Sequence, residues 1–426
     1  RKMGYWEVIA IGVGGMVGGG IFAVLGLAVQ LAHGGTPVAF ALAGIVALLT
    51  AYSYTKLSLA YPGRGGTVAF LDRAFGPGFL TGSVNVLLWL SYIVMLSLYA
   101  FAFGSYGATF LKPSAQLIGK HVLISVVVLA VTGLNLFSAN IIGKAESWIV
   151  GLKVTILLLF VAVGFAGIDG RQLAPATWSP PMQLLAGGMI IFLAYEGFEL
   201  IANTAQDVHD PQKTLPRAYY SAVTFVIALY VLVALVAIGN LPVDRIVQAK
   251  DYALAEAARP FMGRTGFALI AVAAMLSTAS AINATLYGTA RISYTIAKDG
   301  ELPAQLEKKV WNEPVEGLFI TALLTLGMAN WFDLSRISMM GSAGFLLIFT
   351  AVNAANVLQA KRTKSRPWIS SAGVLACMGA LAALLWQTLV VSPEQIWVFV
   401  AMVGTAMTIE GAYRGLKKRA IRLPHP

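Results

Sequence analysis

Charge and cysteine are what this 426-residue chain has least of. Charged residues make up 12% of it, against about a quarter in a soluble domain, which excludes an ordinary water-soluble fold. The single cysteine, Cys377, excludes a disulfide framework, and four scattered histidines give no zinc spacing. Acidic residues are scarce too: none occurs between Glu7 and Asp72. No nucleophile–base pair and no metal-ligand cluster stands out, so the sequence does not read as an enzyme, and no cofactor or metal is expected. The lack of a repeated pore-loop filter argues against a channel. A cleavable signal peptide is not expected, because polar "RKMGYWE" leads directly into the first apolar run.

What the chain has is apolar sequence. It is 58% hydrophobic, with mean hydropathy +0.75, which implies an all-α polytopic membrane protein. Runs of about 20 residues, enough to cross a bilayer, are drawn at 8–31, 38–61, 79–104, 121–142, 148–167, 184–204, 218–239, 266–293, 315–331, 338–358, 368–388 and 395–412. Twelve crossings place both termini on one side. With the termini cytoplasmic, roughly 21 Lys and Arg residues fall inside and about 8 outside. The inner set includes "KRTKSR" (361–366) and "YRGLKKRAIR" (413–422). The surplus of +11 therefore belongs to loops at the face of a cell membrane. It predicts a lipid bilayer as partner and no nucleic acid.

The stretch "IGVGGMVGGGIF" (11–22) holds six glycines inside the first span, although each glycine costs about 1 kcal/mol in a helix. A dinucleotide fingerprint, matched by "GGGIFA", lacks the acidic residue it needs about 20 positions on. Two readings stay open. One is a small-residue face for helix packing. The other is a helix broken at Gly18–Gly20, whose freed backbone binds a ligand in a cavity. Transporters built from inverted repeats break corresponding helices in both halves. Five spans on, "LLAGGMIIFLAYEGFELIANTAQD" (184–207) places Gly197 between the carboxylates Glu196 and Glu199. Carboxylates at membrane depth are costly and need a cavity or partners.

These residues resemble the amino acid–polyamine–organocation transporter family. Gly18, Gly19, Gly20, Ile21 and Phe22 match its "G-x-G-I-F" signature. Phe192, Ala194, Tyr195, Gly197, Phe198 and Glu199 match its "F-x-A-Y-x-G-F-E". Further likeness lies in "HDPQKTLPRA" (209–218) and "ISYTIAKDGELP" (292–303), and extends from residue 4 to about 330. Within the family the chain is most similar to proton-coupled, broad-specificity amino acid transporters. The resemblance implies twelve transmembrane helices in the five-plus-five inverted-repeat (LeuT-type) fold, with helices 1 and 6 broken. Residues 1–167 would form the first repeat and 184–358 the second. Residues 368–412 would be a peripheral pair, and 413–426 a basic cytoplasmic tail.

The resemblance also implies a site. Val17, Gly18, Gly19, Gly20 and Ile21 would hold a substrate carboxylate, in the manner of anions at helix N-termini. The carbonyls near Phe192, Leu193 and Ala194 would hold its ammonium group. Leu193 stands where relatives often place an aromatic gate. Glu196 stands where they are usually apolar, which points to a cationic or amine-bearing substrate or to a proton carrier. Glu199 matches the usual acid and reads as a structural or gating acceptor. Tyr195 and Phe198 read equally well as packing aromatics. Lys153, in "ESWIVGLKVTILLLF" (146–160), lies roughly 9 Å past the inner end of its span. By itself it reads as a snorkelling lysine. The resemblance instead places its ammonium where sodium-coupled relatives bind sodium, near the hydroxyls of Ser277, Thr278 and Ser280, so that losing and gaining a proton is the coupling step. Two loops are weaker signals: 61–78 as an inner linker and 243–263 as an outer amphipathic segment. The expected function is proton-coupled import of amino acids or related amines by alternating access. An antiporter or polyamine and organic-cation carrier is the alternative, and a potassium carrier or channel is less favoured.

Overall fold

The computed structural model describes residues 2–63, 65–137, 139–299 and 315–417. Residues 300–303 of the stretch after the eighth span, and 418–426 of the basic tail, lie outside the described residues. Helices α1 (Tyr5–Met16), α2 (Gly20–Ala32), α3 (Thr36–Ala60), α4 (Gly66–Phe75), α5 (Phe79–Ala108), α6 (Gln116–Phe137) and α7 (Ala139–Gly164) come first. Then follow α8 (Pro181–Ile190), two 3-10 segments (Phe192–Tyr195 and Phe198–Asp207), α9 (Pro211–Asn240) and α10 (Val243–Gln248). The chain continues through α11 (Ala253–Asp299), α12 (Val315–Trp331), α13 (Leu334–Leu358), α14 (Ala360–Thr363), α15 (Pro367–Val391) and α16 (Glu394–Lys417). We call the side carrying α4 and α14 the near face, and the side carrying α10 the far face.

Among the described residues, nine single helices and two bent pairs are long and apolar enough to cross a bilayer. The bent pairs are α1 with α2, at 45°, and α8 with its 3-10 continuation, at 46°. The run at 315–331 forms α12, whose 17 residues reach about 26 Å at 1.5 Å each, slightly under the about 30 Å of a hydrocarbon core. One boundary moves: the stretch between 142 and 148, drawn between the fourth and fifth runs, lies inside α7, which begins at Ala139. The polar "KAES" there is rich in good helix formers and stays helical.

Helix starts follow local chemistry. Proline in the first turn, where its missing N–H is no loss, opens α3, α8, α9 and α15. Asp333 caps α13, accepting from Arg336 N at 2.9 Å. Helix α5 is the central post, with 89% of its most apolar stretch buried, against 33% for α15 and 22% for α16. The two bent pairs are joined at both ends. On the near face Met3 N donates to Asp207 O at 2.8 Å and His209 N to Met3 O at 2.9 Å. On the far face Gly34 N donates to Thr177 O at 3.3 Å and Ser179 N to Ala32 O at 3.4 Å.

Candidate substrate site

A helix that stops inside a membrane leaves its last carbonyls without intrahelical donors, and no water is at hand in lipid. The end of α1 shows where its carbonyls go. Gly14 O accepts from Lys153 Nζ of α7 at 2.9 Å, and Met16 O from Tyr230 OH of α9 at 2.7 Å. Val17 O accepts from Ser277 Oγ of α11 at 3.1 Å, and the same hydroxyl lies against Gly18 O. Three helices thus complete one break. On its other side Gly19 caps α2 without any side-chain bond. The first N–H groups of α2, at Gly20 and Ile21, therefore have no acceptor within the helix.

The second break is completed from α13. Ile190 O accepts from Ser338 Oγ at 2.6 Å and Ser342 Oγ at 2.9 Å, while Leu193 N donates to Ser342 Oγ at 3.2 Å. Tyr230 OH also lies 3.2 Å from Ala194 O, so one hydroxyl spans both breaks. Gly197 has φ +120°, a conformation open to glycine and few others. Its N–H donates to Glu199 Oε2 at 2.7 Å, and Tyr92 OH donates to Glu199 Oε1 at 3.0 Å. Glu199 is thereby a buried acceptor that fixes the second break.

The glycines also let the two broken helices touch. A Cβ on Gly15 would sit 2.7 Å from Gly197 O, and one on Gly20 would sit 2.6 Å from Ala194 Cα. At Gly19 it would meet Tyr99 Cδ1 at 2.5 Å and Thr278 Cγ2 at 2.8 Å. Close packing and helix breaking, two separate readings of the sequence, are here one arrangement.

Beneath the breaks a cavity of about 370 Å³ opens at the near face. Glu7, Gly14 and Gly15 of α1, Tyr99 of α5, Val150 of α7, Glu196, Gly197 and Leu200, and Ala281 and Thr285 of α11 line it. It holds two carboxylates and, among the described lining residues, no lysine or arginine. Glu196 is 4% exposed and Tyr99 2%.

A profile of the amino acid permease family matches residues 3–409. The chain belongs to the amino acid permease family. It is 34% identical over 420 residues to an uncharacterised protein of Methanocaldococcus jannaschii, covering 98% of this chain and 97% of that one. It is 35% identical over 353 residues to the inner membrane transport protein YbaT of Escherichia coli, covering 83% and 82%. The methylthioribose transporter of Bacillus subtilis is 26% identical over 385 residues, covering 85% and 82%. The permease is thus a multi-pass membrane transporter of the amino acid–polyamine–organocation superfamily, and not an enzyme.

Of the permease residues singled out in the sequence, Glu196 lines the cavity. Val17 to Ile21 and Phe192 to Ala194 are buried at the breaks behind it, in touch through Gly18, which packs against Ala281 and Tyr99. Lys153 is 2% exposed and does not snorkel to the surface. Ser277 reaches the first break; Thr278 instead bonds back to Ala274 O at 2.7 Å, and no bond ties Ser280 to α1. Tyr195 stacks on Tyr230 at 5.2 Å and donates to Phe40 O at 2.8 Å. Phe198 packs against Phe349 at 5.4 Å and Tyr54 at 5.5 Å. Sequence reasoning missed Tyr99, Tyr230, Ser338 and Ser342. The available signal was a hydroxyl in mid-span, which needs a partner when buried.

Proposed function

We propose that the permease is a proton-coupled secondary transporter that imports amino acids or related amines by alternating access. The observation that carries this reading is Lys153. A buried ammonium on the end of a broken helix is a cation supplied by the protein itself. Losing its proton removes the charge that strengthens the bond to Gly14 O and loosens α7 from α1, which gives the break two states. The substrate carboxylate would meet the N–H groups of Gly19, Gly20 and Ile21, where a helix N-terminus favours anions. Its ammonium would meet the carbonyls of the second break. With the near face cytoplasmic and the chain in the cell membrane, the near-face cavity is the inward-open pathway.

Proteoliposome uptake tests it. An inward proton gradient should drive accumulation without sodium, and Lys153→Ala should abolish the driven part while substrate binding suffers less. Sodium-dependent uptake, or full proton-driven uptake by Lys153→Ala, would sink the mechanism. The substrate class is read by thermal stabilisation of the purified protein across L-amino acids and amines, since a ligand that binds only the native state raises its melting temperature. A second reading, a polyamine or organic-cation carrier, is favoured by the carboxylates Glu7 and Glu196 in the cavity. Shifts with amines alone would select it.

A further inference from the structure

A second cavity, of about 270 Å³, lies on the far face. Its floor is apolar, with Leu27 of α2, Ile190 of α8 and Leu384 of α15. Ile190 is the residue whose carbonyl ends α8, so this cavity approaches the second break from the side opposite to Glu196. Its rim is polar, and two of its groups have no partner among the described residues. Gln387 of α15 is 8% exposed, yet its amide bonds to no described residue. The amide opens onto the cavity and so keeps its donors and its acceptor for a group bound there. Lys250 is the second: it forms no ion pair with a described residue, whereas its neighbour Asp251 pairs with Lys120 at 2.9 Å. Asp333, the cap of α13, supplies a half-exposed carboxylate to the same rim, and that carboxylate also faces Arg336 Nε at 3.7 Å.

We infer that this far-face cavity is a second binding site that takes the zwitterionic head of an amino acid before it reaches the breaks. Lys250 faces the carboxylate, Gln387 and Asp333 face the ammonium, and the apolar floor takes the side chain. This rests on the amino acid reading above. It also gives α15 a part in the pathway, although only a third of its apolar stretch is buried.

The test is equilibrium binding to the purified full chain of the radiolabelled L-amino acid that gives the largest thermal shift. The unmodified protein should titrate two sites. Gln387→Leu, which adds no buried polar group, should leave one. Lys250→Gln should weaken that same site about tenfold, the loss expected for one charge-assisted contact. Gly19→Leu should remove the other site. A single site in the unmodified protein, or two unaltered sites in both rim variants, overturns the second site and leaves the amino acid reading intact. A single amino acid site, together with a thermal shift by phosphoethanolamine that Gln387→Leu removes, assigns the cavity to a lipid head group and also overturns the inference. Absence of stabilisation by every L-amino acid overturns the functional reading and this inference together.

Discussion

The two broken helices solve the same problem with different chemistry. The first break interrupts α1 and α2 over three residues, and an α-helix resumes at Gly20. The second never resumes as an α-helix; ten residues from Phe198 to Asp207 run as 3-10 turns, an unusual length for that form. Carbonyls of the first break accept from an ammonium, a phenol and a hydroxyl on three separate helices, through Lys153, Tyr230 and Ser277. Ile190 O at the second accepts from two serines one turn apart on α13. Serine hydroxyls do not titrate in water, and a lysine does. The difference separates a break held partly by a donor whose charge can be removed from one whose donors stay neutral.

The sharpest way to break that comparison is to fill the first break. Gly19→Leu would drive a side chain into Tyr99 and Thr278, and should abolish substrate binding at the breaks while the protein still inserts. Unchanged affinity by radioligand binding would show that the first break is not the site. Next in size is Lys153→Arg. Arginine keeps its charge at all working pH values, so proton-driven accumulation should be lost, while counterflow exchange survives. Accumulation at the rate of the unmodified protein would remove the distinction between the breaks.

Smaller effects follow. Glu196→Gln should weaken cationic substrates by about tenfold relative to neutral ones, on the order of one charge-assisted contact. Equal losses across a competition panel would remove Glu196 from selectivity. At the fixed break, Ser342→Ala leaves Ser338 on Ile190 O but strips the acceptor from Leu193 N–H. It should cost about 1–2 kcal/mol of stability, equally at every pH, in thermal melts. A pH-dependent loss would show that the second break is not fixed.

The smallest effect lies away from both breaks. Asp72 in α4, 8% exposed and accepting from Asn85 Nδ2 at 3.0 Å, is raised to about 6 by burial, despite that hydrogen bond. A carboxyl raised in the folded state binds its proton more tightly there than when unfolded, so it favours folding at low pH. That contribution is lost as pH rises from about 4 through about 6. Asp72→Asn should flatten the melting temperature over that window and leave uptake unchanged. A slope that persists would assign it to another group.

Much of the fold was legible because its signals are local. An apolar run of about 20 residues declares a membrane-crossing segment by its length, as 79–104 did for α5. Glycine runs declare weak helix by their cost, and α1 does end at Met16 and α2 does begin at Gly20. The start of α7 was drawn too late because "KAES" is polar enough for a loop and also a good helix former. Charge alone singled out Lys153 and Glu196, since either is conspicuous at membrane depth.

Tyr230 shows what local signals leave open. It is one of 15 tyrosines in the chain, and its neighbours "VIALYVLVAL" give no hint of a carbonyl 214 residues away. Ser338 and Ser342 reach Ile190 from 148 and 152 residues on, and Ser277 reaches Val17 across 260. The sequence by itself determined where helices run and where they break, because apolar length and glycine act within a few residues of themselves. Only the tertiary structure decided which donors complete each break. A freed carbonyl accepts from any well-placed N–H or O–H, and placement is set by how distant helices pack.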